Sequence, residues 1–187
     1  MNAADIKPGR IRIRKPTAAP KATQSSPTFR LDRPLKGLRV GLRTDPGWLS
    51  WTLIADQWAG FLKRDGAEPV LFPILEHVGP EGERAIAALK AWADSVDAAV
   101  VGIGTLGSCT LWTVRDAVIV ENHKKPVVAA ITDEFKVHGQ NIARMEGHTD
   151  LKQMILPYPL EGRPEKELLE IGEQFYPRFL DMLGATR

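Results

Sequence analysis

The sequence has 187 residues and a single cysteine, Cys109, so it cannot form an internal disulfide bond. That scarcity suits a reducing compartment. An uninterrupted apolar run of about 18 residues and a signal-peptide core are also lacking, which argues against a membrane partner and predicts a cytoplasmic protein. Neither a CxxC pair nor an HExxH motif occurs, so the sequence predicts no metal site.

The charged side chains are unevenly distributed along the chain. Residues 1–36 carry nine Lys and Arg against two Asp, whereas the rest of the chain carries 16 basic and 21 acidic side chains. We therefore divide the chain into an extended basic arm, residues 1–36, and one α/β domain, residues 37–187. Three interpretations of the arm are a disordered tail, a wrap around a neighbouring subunit and a nucleic-acid tether. Because the arm complements the charge of the domain and contains no recognisable nucleic-acid module, we favour a homo-oligomer and disfavour nucleic acid.

Five apolar segments alternate with segments of helical periodicity in the domain. The segments 98–103 and 126–131 are almost continuously apolar, which indicates strands buried on both faces of a parallel sheet. The alternation predicts a three-layer α/β sandwich with right-handed crossovers and a flavodoxin-like strand order, 2-1-3-4-5. Pro177 is expected to kink or split the last helix. In the arm, residues 11–14 alternate between Ile and Arg and could add a strand to a sheet edge.

This topology predicts where a ligand binds. Ligands of such sheets lie beyond the carboxyl ends of strands 1 and 3, where the strand order reverses. The loops 44–47 and 104–109 should therefore face each other, with the loop 132–134 beside them. Cys109 follows a glycine-rich turn at the start of a helix, and the N–H groups there suit either a thiolate nucleophile or a bound anion. A buried structural cysteine is the competing interpretation.

The glycines of this turn also match GxGxxG, but they follow the third strand rather than the first, so NAD binding is disfavoured. Asp45, Glu134 and His138 are the candidate proton carriers, although Asp45 also suits a turn and a lone His is more often structural. We interpret His77 and His123 as surface residues. The candidate substrate-binding residues are Gly104, Thr105, Gly107, Ser108, Thr110, Trp48 and His148.

Several separated segments resemble the UGSC family, which is named for a selenocysteine-Gly-Ser-Cys motif in its selenoprotein members. The segments are Gly107-Ser108-Cys109 and residues 50–58, 92–99, 147–151 and 156–162, so the resemblance covers about residues 36–185. In this chain Leu106 stands where the selenocysteine would be. The resemblance implies thiol- or selenol-based chemistry, either redox or nucleophilic, and Leu106 argues against a two-centre redox pair.

These observations lead to one leading hypothesis and two alternatives. We expect a cofactor-independent hydrolase or lyase for a small polar molecule, in which Cys109 attacks an electrophilic carbon. Backbone N–H groups of residues 107–110 would hold the developing negative charge. The alternatives are a thiol-based redox enzyme, resolved by an external thiol or a related partner subunit, and a non-catalytic subunit of an enzyme complex.

Overall fold

The computed structural model of the protein describes residues 28–74 and 76–186, so the arm up to residue 27 and its alternating Ile-Arg segment lie outside the described residues. A 3-10 turn, Asp133–Phe135, connects the fifth strand to the fourth helix. The strands and helices follow in the order β1 (Arg33–Pro34), β2 (Arg39–Thr44), α1 (Leu49–Arg64), β3 (Glu68–Pro73), α2 (Gly79–Ser95), β4 (Ala98–Gly104), α3 (Gly107–Asn122), β5 (Val127–Thr132), α4 (Lys136–Met145), β6 (Gln153–Leu156), α5 (Glu165–Leu183) and β7 (Ala185–Thr186).

The main sheet has five parallel strands in the order β3-β2-β4-β5-β6. This order is the predicted 2-1-3-4-5, and the three-layer α/β architecture is confirmed. Every residue of β4 and β5 is buried, because helices cover both faces of the sheet at its centre. The edge strands β3 and β6 keep partly exposed positions, as expected where one side of the strand faces solvent.

Two separate cores fill the spaces between the layers. On one face α1 and α5 pack against the sheet around Trp58, whose ring stacks on Phe179 at 4.9 Å between centroids. On the other face α2, α3 and α4 contribute a mostly aliphatic core. The apolar positions of α1 recur at helical spacing, so its buried residues form one stripe that faces the sheet. Among the described residues, no helix is long and apolar enough to cross a membrane.

The expectation that Pro177 could split the last helix is wrong. The helix α5 runs without a break from Glu165 to Leu183. Tyr176, directly before Pro177, and Phe179, two residues after it, are buried against α1. This packing holds the second half of the helix in place although Pro cannot donate a backbone hydrogen bond.

The described end of the arm packs against the domain. β1 pairs in parallel with β7, and the backbone N–H of Leu31 donates to the carbonyl oxygen of Leu183 at 2.9 Å. Leu35, directly after β1, is fully buried in the core beside α1 and α5. The chain therefore enters the domain next to the carboxyl end of α5.

Candidate active site at the carboxyl edge of the sheet

Cys109 is the third residue of α3, because this helix begins at Gly107. Its side chain is half-buried. Leu106 occupies the position before the helix and makes no side-chain cap. The N–H groups of the first residues of a helix have no partner inside it, so those of residues 107–109 remain available to a negative charge. The N–H of Thr110 is not available, since it donates to the Leu106 carbonyl oxygen at 2.9 Å.

Trp48 contacts the sulfur directly. Its indole Nε1–H donates to Cys109 Sγ at 3.3 Å, which joins the loop after β2 to the first turn of α3. The turn before Trp48 is fixed by Asp45, whose Oδ1 accepts from the Gly47 N–H at 2.9 Å and whose carbonyl oxygen accepts from the Trp48 N–H at 2.9 Å. Asp45 therefore acts as the turn residue that places Trp48, and this contact engages one of its carboxylate oxygens.

Glu161 supports the same arrangement from the loop after β6. Its Oε1 accepts from the backbone N–H of Ser50 at 2.9 Å and from the Ser50 hydroxyl at 2.5 Å. A carboxylate at this position satisfies an N–H at the start of α1 and matches the positive end of the helix dipole. Sequence reasoning missed this role, because Ser50 and Glu161 are 111 positions apart in the chain.

The loop after β5 completes the edge. Thr132 Oγ1 donates to the Gly104 carbonyl oxygen at 3.2 Å, and His138 Nε2 lies 3.2 Å from the Gly107 carbonyl oxygen. A carbonyl oxygen only accepts, so Nε2 carries the hydrogen and a neutral His138 leaves Nδ1 as an acceptor. Glu134 lies in the exposed 3-10 turn that precedes α4. The structure therefore places His138 beside the first turn of α3, which carries Cys109, whereas Glu134 is exposed to solvent.

The three glycines of the GxGxxG spacing have different environments. A Cβ at Gly102 would lie 2.3 Å from the ring of Trp51, and one at Gly104 would lie 3.0 Å from the Thr110 hydroxyl. Only Gly107 faces open space. Two of the three glycines are thus explained by close packing rather than by the approach of a phosphate group.

Not all the predicted binding residues present side chains to a ligand. Thr105 and Thr110 are buried, and the Thr110 hydroxyl donates to the Leu106 carbonyl oxygen at 2.7 Å. Ser108 is exposed in the first turn of α3, next to the free N–H groups. The two threonines therefore shape the turn, and Ser108 is the hydroxyl that a ligand can reach.

His148 lies elsewhere, so the prediction that it lines this crevice is wrong. Its Nδ1 is 2.5 Å from Glu121 Oε2 near the end of α3, about 18 Å along the helix axis from Cys109. His148 precedes β6, and a residue before a parallel strand lies at the amino edge of the sheet. The candidate site occupies the carboxyl edge.

A buried polar cluster lies below the site. Arg43 of β2 donates through Nη1 to the Gly102 carbonyl oxygen at 2.7 Å and through Nη2 to Asp116 Oδ2 at 2.5 Å. His77 Nε2 lies 3.0 Å from the same Asp116 oxygen, and its ring stacks on Trp112. The side chains of Arg43, Asp116 and His77 are 2%, 2% and 6% exposed, so the prediction of a surface histidine at position 77 is wrong.

The carboxylate of Glu76 holds the loop that carries His77. Glu76 Oε1 accepts from the N–H groups of Val78 and His77 at 3.1 and 2.9 Å. These hydrogen bonds, that from Val78 first, lower the pKa of the Glu76 carboxyl. Within the described ranges, no three His, Cys, Asp or Glu side chains are grouped in a way that could hold a metal ion.

A sequence comparison gives the chain its family. Among curated proteins, none matches it. The model of the UGSC family matches residues 12–185, which is longer than the resemblance expected over about residues 36–185 and includes part of the arm. The chain therefore belongs to the UGSC family.

Proposed function

We propose that the protein is a cysteine-dependent enzyme for a small polar molecule, with Cys109 as its nucleophile. One observation carries this proposal: the half-buried sulfur lies at the start of α3 and accepts the indole N–H of Trp48 at 3.3 Å. A structural cysteine has no need of a hydrogen-bond donor, whereas a thiolate is stabilised by one.

The contacts suggest a role for each group. The thiolate forms a bond to an electrophilic carbon, and the bond from that carbon to the leaving heteroatom breaks. The N–H groups of residues 107–109 stabilise negative charge that develops on the substrate. Nδ1 of His138 accepts the proton of the Cys109 thiol as the thiolate forms and returns it to the leaving heteroatom. Water then cleaves the bond between carbon and sulfur in a hydrolase, whereas elimination breaks it in a lyase.

The first experiment uses the fact that Cys109 is the only cysteine, so the mass of the whole protein reports its alkylation alone. We expect iodoacetamide at neutral pH to modify the native protein faster than the same protein unfolded in urea. Replacing Trp48 with Phe removes the N–H and retains a ring, and this variant should react about threefold more slowly. Trp112→Phe, which leaves the indole of Trp48 in place, is the matched control and should react like the wild type.

Slower alkylation of the native than of the unfolded protein would refute an activated thiol.

The second experiment measures turnover of a panel of esters, amides and amidines by the wild type and by Cys109→Ala, with circular dichroism as the folding control. Unchanged turnover in Cys109→Ala would exclude the nucleophile. A mixed disulfide that forms at Cys109 after hydrogen peroxide and an external thiol, with no turnover of the panel, would instead favour the redox alternative.

A further inference from the structure

An acidic groove runs between α1 and the first half of α5, on the face of the sheet that α1 and α5 cover. One part is a cavity of about 550 Å³, and its neighbour, of about 460 Å³, shares Glu165 with it. Half-buried Leu169 and buried Leu168 give the groove an apolar floor. The acidic side chains that line the two cavities are Asp56, Glu161, Glu165, Glu170 and Glu173, against Arg163 and Lys166 as cations.

The charges of this groove are not balanced locally. Lys166 lies 3.9 Å from Glu170, and Arg163 lies 3.2 Å from Glu167, so both cations already have acidic neighbours on α5. Asp56 and Glu165 are exposed and form no ion pair within the part of the chain that the structure describes, and the exposed Glu173 interacts with Arg64 beyond ion-pair distance. A ligand with several positive charges and some apolar side chains would complement this surface.

The chain itself contains such a segment. Residues 10–15 read Arg-Ile-Arg-Ile-Arg-Lys, with four positive charges around two isoleucines. In an extended peptide, alternating side chains fall on opposite faces, so the isoleucines can meet the apolar floor. Long Arg and Lys side chains can then reach the carboxylates at the rim.

The chain enters the domain near the groove, so residues 10–15 could bind there within the same chain. Leu31 is fixed beside Leu183, and Glu173 and Glu165 lie about 15 and 27 Å back along α5. The 16 residues between Arg14 and Leu31 can span at most about 56 Å. Both carboxylates are therefore within reach of residues 10–15 of the same chain.

We infer that residues 10–15 bind in the acidic groove between α1 and α5 of their own chain. Cys109 does not line the groove, although Ser50 and Glu161 line one end of it and also support the turn that carries Trp48. A second copy of the chain carries the same segment and is the competing occupant.

The experiment links carboxylates to lysine amines with a zero-length carbodiimide in the full-length protein. A mixture of ¹⁵N-labelled and unlabelled chains shows by mass spectrometry whether linked peptides come from one chain. We expect Lys15 to be linked to Glu165, Glu170 or Glu173, with both peptides of the same isotope. Linked peptides that combine labelled and unlabelled chains would assign the groove to a second copy and overturn the inference. Links from Lys15 to other carboxylates, or no links at all, would also overturn it.

A second measurement is independent of lysine placement. Tryptic cleavage of the native protein within residues 10–15 should be about fivefold faster in the double variant Glu165→Gln/Glu173→Gln, since two exposed ion pairs are lost. Glu83→Gln, an exposed carboxylate on α2 across the sheet, is the matched control and should leave the rate unchanged. Equal cleavage rates in the double variant and the wild type, with unchanged circular dichroism, would refute the contact.

Discussion

Replacing Asp116 with Asn tests whether the buried cluster below the site depends on its charge pair. The substitution keeps the shape of the side chain and leaves the Arg43 guanidinium without a counter-charge where both side chains are 2% exposed. Removing one partner of a buried ion pair costs about 3–5 kcal/mol. Asn retains an acceptor oxygen for Nη2, so we expect the lower end of this range, about 3 kcal/mol. With a urea dependence of about 2 kcal/mol per molar, the unfolding midpoint should fall by about 1.5 M.

The assay is urea unfolding followed by tryptophan fluorescence, and its control removes both charges. In Arg43→Met/Asp116→Leu no charge is left unpaired, and the hydrogen bonds lost are those to the Gly102 carbonyl oxygen and between His77 and Asp116, at about 1 kcal/mol each. The double variant should therefore be more stable than Asp116→Asn. A loss below about 1 kcal/mol in Asp116→Asn, or a double variant that is less stable than the single one, would show that the cluster is not held by its charge pair.

Two further predictions concern packing and pH. Gly102→Ala should lower the urea midpoint by about 1 M or more, because the added Cβ would lie 2.3 Å from the Trp51 ring, whereas Gly60→Ala meets open space and should not. Glu76→Gln should destabilise the protein at neutral pH but not in acid. Because hydrogen bonds from Val78 and its neighbour lower the pKa of Glu76, the carboxylate stabilises the fold above its ordinary pKa, and this contribution disappears as the pH falls through the lowered value. Urea midpoints of both proteins across this pH range measure the difference.

The fold could be predicted because its signals are local. Continuous apolar character marks β4 and β5 as central strands, and alternation with helices restricts the connections to right-handed crossovers. The strand order and the position of Cys109 at the carboxyl edge follow from these rules. The pairing of β1 with β7 was not predicted, because strands of two residues have no periodicity to detect.

The site was predicted only in part, because much of it depends on contacts between distant residues. Arg43 reads as the polar residue of a half-exposed strand until Asp116, from another element, is seen to neutralise it. His77 is buried by the same contact. The error at His148 has a different origin, because a position before β6 already places a residue at the amino edge of a parallel sheet. The catalytic roles suggested for Cys109 and His138 stay predictions.

The short pairing of β1 with β7 divides the molecule into two units of unequal stability. Its two residues per strand join positions about 150 residues apart, and closing a chain of that length costs about 4.4 kcal/mol unless the domain is already folded. The pairing therefore depends on the docking of α5, and its opening breaks only a few backbone hydrogen bonds. Such an opening exposes Leu35 but leaves the five-stranded sheet intact. Opening of residues 28–36 would thus leave Trp48 and Cys109 in contact.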